Sequence, residues 1–300
     1  MCDVDAIYSE GLPWGALQEA LLAHVDGAPA RTPLAPGARF SSTVPRTDET
    51  LPWLELLEAG TFSEATLHRT PVNFEVSDLW AKVLRDSERA KGRTWLHALF
   101  LGTIALERGD AAEARDLLEA SMALRPNVLA ARNLATFAPT LAAGKAAYDR
   151  AWALWAALPE TDAAKAHVGR DLSGEICGWL LGNDQWAALK AFLADLSPDQ
   201  ATKDRALHAA AAVAVRDGDF DAAIPVLRNN CFPTYGSMRG ALIQLWFQAQ
   251  TLKAEKTKGA ALSVREKLAL RAKFRCDGDH SAGTLDGPCV CGPPNLGYAF

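Results

Sequence analysis

Four residues near the end of the chain have the side-chain types that bind a metal ion. In "CDGDHSAGTLDGPCVCGPPNLGYAF", Cys276, His280, Cys289 and Cys291 make a four-membered Cys/His set, the donor chemistry that zinc takes up in tetrahedral sites. The ligands are separated by three, eight and one residues, which is not the spacing of a common zinc finger. Asp277 and Asp279 also bring oxygen donors into what would be a thiolate site. The favoured reading is a Gly/Pro-rich tail covering the end of the last helical hairpin, with reduced cysteines and no cofactor. Zinc is the alternative. A calcium loop built on Asp277 and Asp279 lacks the ligand spacing of such loops.

The rest of the chain is poor in catalytic pattern. It has no G-x-S-x-G, no H-E-x-x-H and no glycine-rich phosphate loop. The six histidines at 24, 68, 97, 167, 208 and 280 are scattered, so no nucleophile, base and orienting group share a motif. His208 in "DRALHAAAAVAV" reads as a helix-surface or groove residue. Asp171 and Glu175 share a helix face, but such pairs are ordinarily solvated. The expectation is a protein that is not an enzyme.

The elements that would position these residues are helices. Alanine, leucine, glutamate and arginine dominate the middle of the 300-residue chain, and all are strong helix formers. No alternating strand pattern follows residue 50. "LGTIALERGDAAEARDLLEASMALRP", Leu101 to Pro126, is the clearest unit. Gly109 supplies a left-handed residue between two helices. Asp110 caps the second, and Glu113 stands at the spacing of a capping box. Gly102 and Ala114 allow close packing, and Pro126 ends the hairpin. "RDGDFDAAI" at 216–224 echoes the turn with Gly218, Asp219 and Ala223, and "LLGNDQWAAL" at 180–189 with Gly182, Asn183 and Ala187. A worn copy turns at Pro139 and packs Gly144, Tyr148 and Ala151. "SVREKLALRAKF" opens with another capping-box pair, Ser263 and Glu266. The nine tryptophans lie mostly at helical spacing beside small residues, as core rings do.

Leu101, Gly102, Gly109, Ala114 and Pro126 resemble the tetratricopeptide (TPR) pattern, whose repeat is about 34 residues long. The resemblance implies an all-α, TPR-like right-handed superhelix of antiparallel helix pairs, an α-solenoid. Its parts are an irregular helical lead-in over 1–92, the repeats over 93–275, and a Cys/Gly/Pro-rich tail over 276–300. "LPWLELLEAG", "PVNFEVSDLW", "AARNLA" and "YDRAWAL" are further similar to the C-terminal repeat region of large bacterial proteins that carry an N-terminal β-sandwich domain of unassigned function. The implied function is a non-catalytic scaffold that binds a protein or peptide partner along the concave face of the array. Thr103, Glu107, Asn133, Ile176, Arg205 and His208 are the candidate partner-binding residues. The alternative is an accessory helical arm of a carbohydrate-processing enzyme whose catalytic β-sandwich is absent from this chain.

Charge and hydropathy bound the partners. The net charge of −5 argues against general nucleic-acid binding. Positive charge is nonetheless concentrated locally. Residues 253–275 hold Lys253, Lys256, Lys258, Arg265, Lys267, Arg271, Lys273 and Arg275 against Glu255 and Glu266, a net +6. This is either a docking face for an acidic partner or the solvated side of two helices. The N-terminus lacks the basic and apolar regions of a secretory signal, and no apolar run spans a membrane. The expected location is cytoplasmic.

Overall fold

In the computed structural model, residues 16–18, 20–25, 44–162, 164–230, 232 and 239–273 are described. All regular structure among them is helical, so the chain is all-α. After the helical residues 16–18 and 20–25, the order is α1 (Leu51–Ala59), α2 (Glu64–Leu67), α3 (Asp78–Lys91), α4 (Trp95–Glu107), α5 (Ala111–Leu124), α6 (Val128–Thr136) and α7 (Leu141–Ala156). It continues with α8 (Ala164–Gly182), α9 (Trp186–Ala194), α10 (Pro198–Ala201), α11 (Asp204–Asp217), α12 (Phe220–Asn229), α13 (Arg239–Lys258) and α14 (Val264–Lys273). Two compact units divide between Gly169 and Arg170.

In the first unit, "WLHALFLGTIALE" is apolar on nearly every side, and a helix of that kind is buried. This is α4, in which Trp95 to Gly102, Ile104 and Ala105 are all buried. Helices α3, α5 and α6 pack against it. Gly102 sets the approach of α5, because a Cβ built there would lie 2.9 Å from Leu118 Cγ. Above α4 the rings of Trp53 and Phe100 stack with centroids 4.5 Å apart, and Trp80 lies 4.9 Å from Trp53. Both indoles are fully buried, and at this volume they supply much of the apolar area removed from water.

The second unit has its own core: Ala211, Val215, Phe220, Ala223, Leu227, Phe232, Leu242, Trp246 and Ala249. The alanines of α11 let α12 and α13 approach, with large rings filling the gaps.

Three turns are built alike. After α4, Gly109 takes φ 79°, while Asp110 N–H donates to Ala105 C=O at 2.9 Å and Gly109 N–H to Leu106 C=O at 3.0 Å. This pair of bonds satisfies the last helical carbonyls. After α11, Gly218 (φ 74°) repeats the geometry, with Asp219 N–H on Ala214 C=O at 2.9 Å. After α8 the sequence pattern places the turn on Gly182 and Asn183, whereas the left-handed residue is Asp184, φ 55°, with Gln185 N–H on Leu180 C=O at 2.9 Å. The helix runs on to Gly182, which shifts the turn two residues. The capping box expected at Asp110 is only half made. Asp110 accepts from Glu113 N–H at 3.1 Å, but the Glu113 carboxylate takes an ion pair with Arg85 at 2.8 Å instead. A complete box forms at α4, where Thr94 and His97 cap each other.

Candidate functional site

The basic segment becomes two helices and a tight turn. α13 ends at Gly259, and the chain turns back into α14 through residues 259–263. Both acidic residues of the segment are used to hold that turn. Glu255 Oε1 accepts from Leu262 N–H at 3.0 Å and pairs with Lys267 at 3.3 Å. The Leu262 hydrogen bond is the largest influence lowering its carboxyl below the usual range. Glu266 accepts from Lys258 Nζ, Ser263 Oγ and Ser263 N–H, each at 2.7 Å. Lys258, then Ser263, pull its carboxyl down to about 2. The return bond, Glu266 N–H to Ser263 Oγ at 3.3 Å, completes the capping box expected here.

With the carboxylates committed to the turn, α14 presents positive charge and apolar surface outward. Glu266 and Leu270 are its half-buried residues, in line with Leu262 of the preceding turn. Arg271 lies over the Phe247 ring, 5.4 Å from the centroid, and ties the last turn of α14 to α13. Val264 and Leu268, four residues apart and therefore neighbours on one face, are 76% and 62% exposed. Arg265 and Lys267 are exposed beside them. The apolar pair is out of phase with Leu262 and Leu270, a signal already present in "LSVREKLAL".

The six groove candidates are placed differently from one another. Asn133 is buried and its Nδ2 donates to Thr103 Oγ1 at 3.3 Å, while Thr103 Oγ1 donates to Leu99 C=O at 3.0 Å. That pair joins α4 to α6. Glu107 is exposed at the end of α4, and Ile176 is buried in α8. Arg205 is exposed in α11, and its stem covers Gly174, where a Cβ would lie 3.1 Å away. His208 is half-buried, and burial pulls its imidazole down to about 4. The Cys177 thiol is buried and pushed up to about 12 by that burial, so it is held protonated and unreactive. Cys276, His280, Cys289 and Cys291 lie outside the described residues. Among the described residues no three His, Cys, Asp or Glu gather into a metal site, and no helix is long and apolar enough to cross a membrane.

Comparison with known proteins brings one similarity. A family model described as "Transcriptional regulator, SIX1, N-terminal SD domain" matches residues 169–276. No curated protein and no solved structure matches the chain. The match overturns the tetratricopeptide reading together with the similarity to bacterial repeat regions, and with it the groove-binding scaffold and the carbohydrate-enzyme arm. The bacterial assignment tied to that resemblance is withdrawn, and so is the cytoplasmic one, which rested on the N-terminal residues and the lack of a long apolar run. The physical reason lies in the turns. A left-handed residue, an aspartate cap and a small residue opposite are what any short helical hairpin requires. The turns at 109, 184 and 218 are also unevenly spaced. Net charge no longer speaks against nucleic acid, because the positive stretch 253–275 lies within the matched residues.

Proposed function

We propose that residues 169–276 act as a non-catalytic module of the transcriptional-regulator type, which engages a protein partner through the outward face of α14. The observation that carries the reading is a coincidence of boundaries. The family match begins at residue 169, and the second compact unit begins at Arg170. In this reading α11, α12, α13 and α14 stack in chain order and present α14 at the end of the stack. The partner is an acidic segment with apolar anchors. Val264 and Leu268 supply the apolar footing, the exposed Arg265 beside them supplies positive charge, and the acids Glu255 and Glu266 are already engaged, by Lys267 and Lys258. Charge complementarity of this kind sets approach rate and specificity more than affinity.

The test tethers the full chain to a promoter through a heterologous DNA-binding domain and measures reporter output. Output changes with the wild-type chain, and the Val264→Asp/Leu268→Asp double variant, expressed equally and with wild-type helicity, removes the change. An unchanged reporter, or a double variant that behaves as wild type, overturns the reading. Binding of the untethered chain to a short DNA duplex with a steep salt dependence would assign the basic face to nucleic acid instead.

A further inference from the structure

Val264 and Leu268 are the most exposed large apolar side chains among the described residues, and they stand together on α14 beside the exposed Arg265. Whatever covers them must bring apolar groups and negative charge. The chain itself carries such a segment directly after α14. Residues 276–300 hold Asp277, Asp279 and Asp286 and neither lysine nor arginine, a net −3 against the +6 of 253–275. The sign of the charge thus reverses between Arg275 and Asp277. The two aromatic side chains of the segment, Tyr298 and Phe300, stand beside Leu296. A stretch of 25 residues is too short to bury such groups in a core of its own, so they need a surface elsewhere. The family match closes at residue 276, which makes the segment an addition to the matched module.

We infer that residues 276–300 are an intramolecular occupant of the outward face of α14, one that a partner must displace. Leu296, Tyr298 and Phe300 cover Val264 and Leu268, and the aspartates meet Arg265 and the positive charge around it. The reach is sufficient. Val264 opens the ten-residue α14, about 14 Å back from its end at 1.5 Å per residue. A flexible stretch of about 20 residues, from Cys276 to Leu296, spans about 25 Å. Attachment also gives the segment an effective concentration in the millimolar range, so weak contacts fill the face. A second copy of α14 is a poorer occupant, because two positive faces would meet. The inference rests on α14 being the docking face of the regulator reading, and adds a competitor that keeps that face covered until an acidic, apolar-anchored partner arrives.

The experiment follows the fluorescence anisotropy of a labelled acidic amphipathic peptide of unrelated sequence. It is titrated with the full chain and with the full-length Leu296→Ser/Tyr298→Ser/Phe300→Ser variant. The variant is expected to bind this probe at least ~10-fold more tightly, because the attached segment no longer competes. A labelled synthetic peptide of residues 276–300 is expected to bind the same variant, and to lose that binding when Val264→Asp/Leu268→Asp is added with helicity unchanged. Equal probe affinity for the wild-type chain and the triple variant overturns the inference and leaves α14 as a docking face. If the 276–300 peptide binds and is lost in the double aspartate variant while the probe binds neither chain, the segment keeps its seat and the acidic-partner reading falls instead. Retention of the 276–300 peptide by the double aspartate variant places the segment elsewhere and overturns the inference. A wild-type dimer in sedimentation that the triple variant loses overturns it too, by assigning the cover to a second copy.

Discussion

His97 Nε2 lies 2.8 Å from Ser87 Oγ in the buried core of the first unit, and the surrounding bonds fix which atom carries the proton. The single hydroxyl proton of Ser87 goes to Gly60 C=O at 2.8 Å, so Nε2–H is the donor to Ser87. On the other side Thr94 N–H donates to Nδ1 at 3.2 Å, which again makes Nδ1 the acceptor. Both ends therefore select the neutral Nε2–H tautomer. One side chain links α4 to α3, to the α1–α2 connection and to its own N-cap.

Protonation of that ring at Nδ1 would aim a proton at Thr94 N–H. Burial, the largest influence, draws the His97 pKa down from 6.5 to about 4. A lowered folded-state value means that the unfolded chain takes up the proton first. The contribution to stability is then fully present above pH 6.5 and is lost as pH falls towards about 4. The full shift corresponds to about 3 kcal/mol. Urea unfolding followed by circular dichroism at about pH 7.5 and about pH 4.5 measures this loss. His97→Gln removes about half of the difference, because the half-buried His208 ring carries a similar shift, at the cost of lower stability at the higher pH. An unchanged pH slope in that variant would place the titration elsewhere.

The matched turns carry a prediction of opposite sign at different residues. Gly109 and Gly218 occupy the left-handed region, and Asp184 occupies it without being glycine. A side chain there costs about 1 kcal/mol. Gly109→Ala and Gly218→Ala are each expected to lose about 1 kcal/mol, and Asp184→Gly to gain about half that, since it also gives up the Trp186 Nε1–H bond to Asp184 at 3.1 Å. Thermal denaturation of the three single variants checks the signs. A stabilised Gly109→Ala would refute the turn geometry.

Those turns show what is legible in a sequence of this kind and why. Gly109–Asp110 and Gly218–Asp219 are readable because one residue type solves one backbone problem locally. Asp184 is missed because aspartate tolerates the same conformation less visibly, and Gly182 two residues earlier drew the turn away. Glu113 has the spacing of a cap, yet an arginine 28 positions earlier wins its carboxylate. No local rule contains that pairing. The helical nature of the chain follows from composition and period, but its family does not. The residues that make hairpins look repeated answer to capping and packing, which many helical families share. The basic stretch at 253–275 was visible as charge. What was not visible is that Glu255 and Glu266 are consumed in a turn, leaving Val264 and Leu268 facing outward.

Gly169 and Gly178 lie in the same helix and respond oppositely to the same change. In an exposed helix interior Gly→Ala gains about 1 kcal/mol. Gly178 is such a place, since a Cβ there meets nothing within 4 Å. At Gly169 the Cβ would stand 2.5 Å from three atoms of the Trp155 indole. That ring is fixed by Nε1–H donation to Lys165 C=O at 2.8 Å and by the Lys165 ammonium 4.6 Å from its centroid. Lys165 in turn donates to the carbonyls of Trp155, Ala156 and Leu158 at 2.9–3.1 Å, closing the end of α7. Overpacking costs about 1–3 kcal/mol, so it exceeds the propensity gain. Gly169→Ala is expected to destabilise and Gly178→Ala to stabilise in parallel chemical denaturation. Equal effects would mean that Trp155 does not hold its place against the helix.

The outward face of α14 separates binding from folding. Val264 and Leu268 make few native contacts to lose, being 76% and 62% exposed. Replacing each by aspartate should therefore change unfolding free energy by no more than about 0.5 kcal/mol. Glu266 is also on the surface, but its carboxylate joins Lys258 to the Ser263 cap. Glu266→Ala is expected to release the turn and lower the melting temperature slightly, by the loss of the acidic half of the capping box. Partner binding should show the reverse order: strong loss in Val264→Asp/Leu268→Asp, and weaker loss in Glu266→Ala, whose positive charge is less compensated but whose helix is less firmly started. Denaturation curves paired with affinity capture on a synthetic acidic amphipathic peptide resolve the two scales. If the double aspartate variant unfolds early, Val264 and Leu268 belong to a core. If it retains the peptide at wild-type strength, the face is only solvated surface.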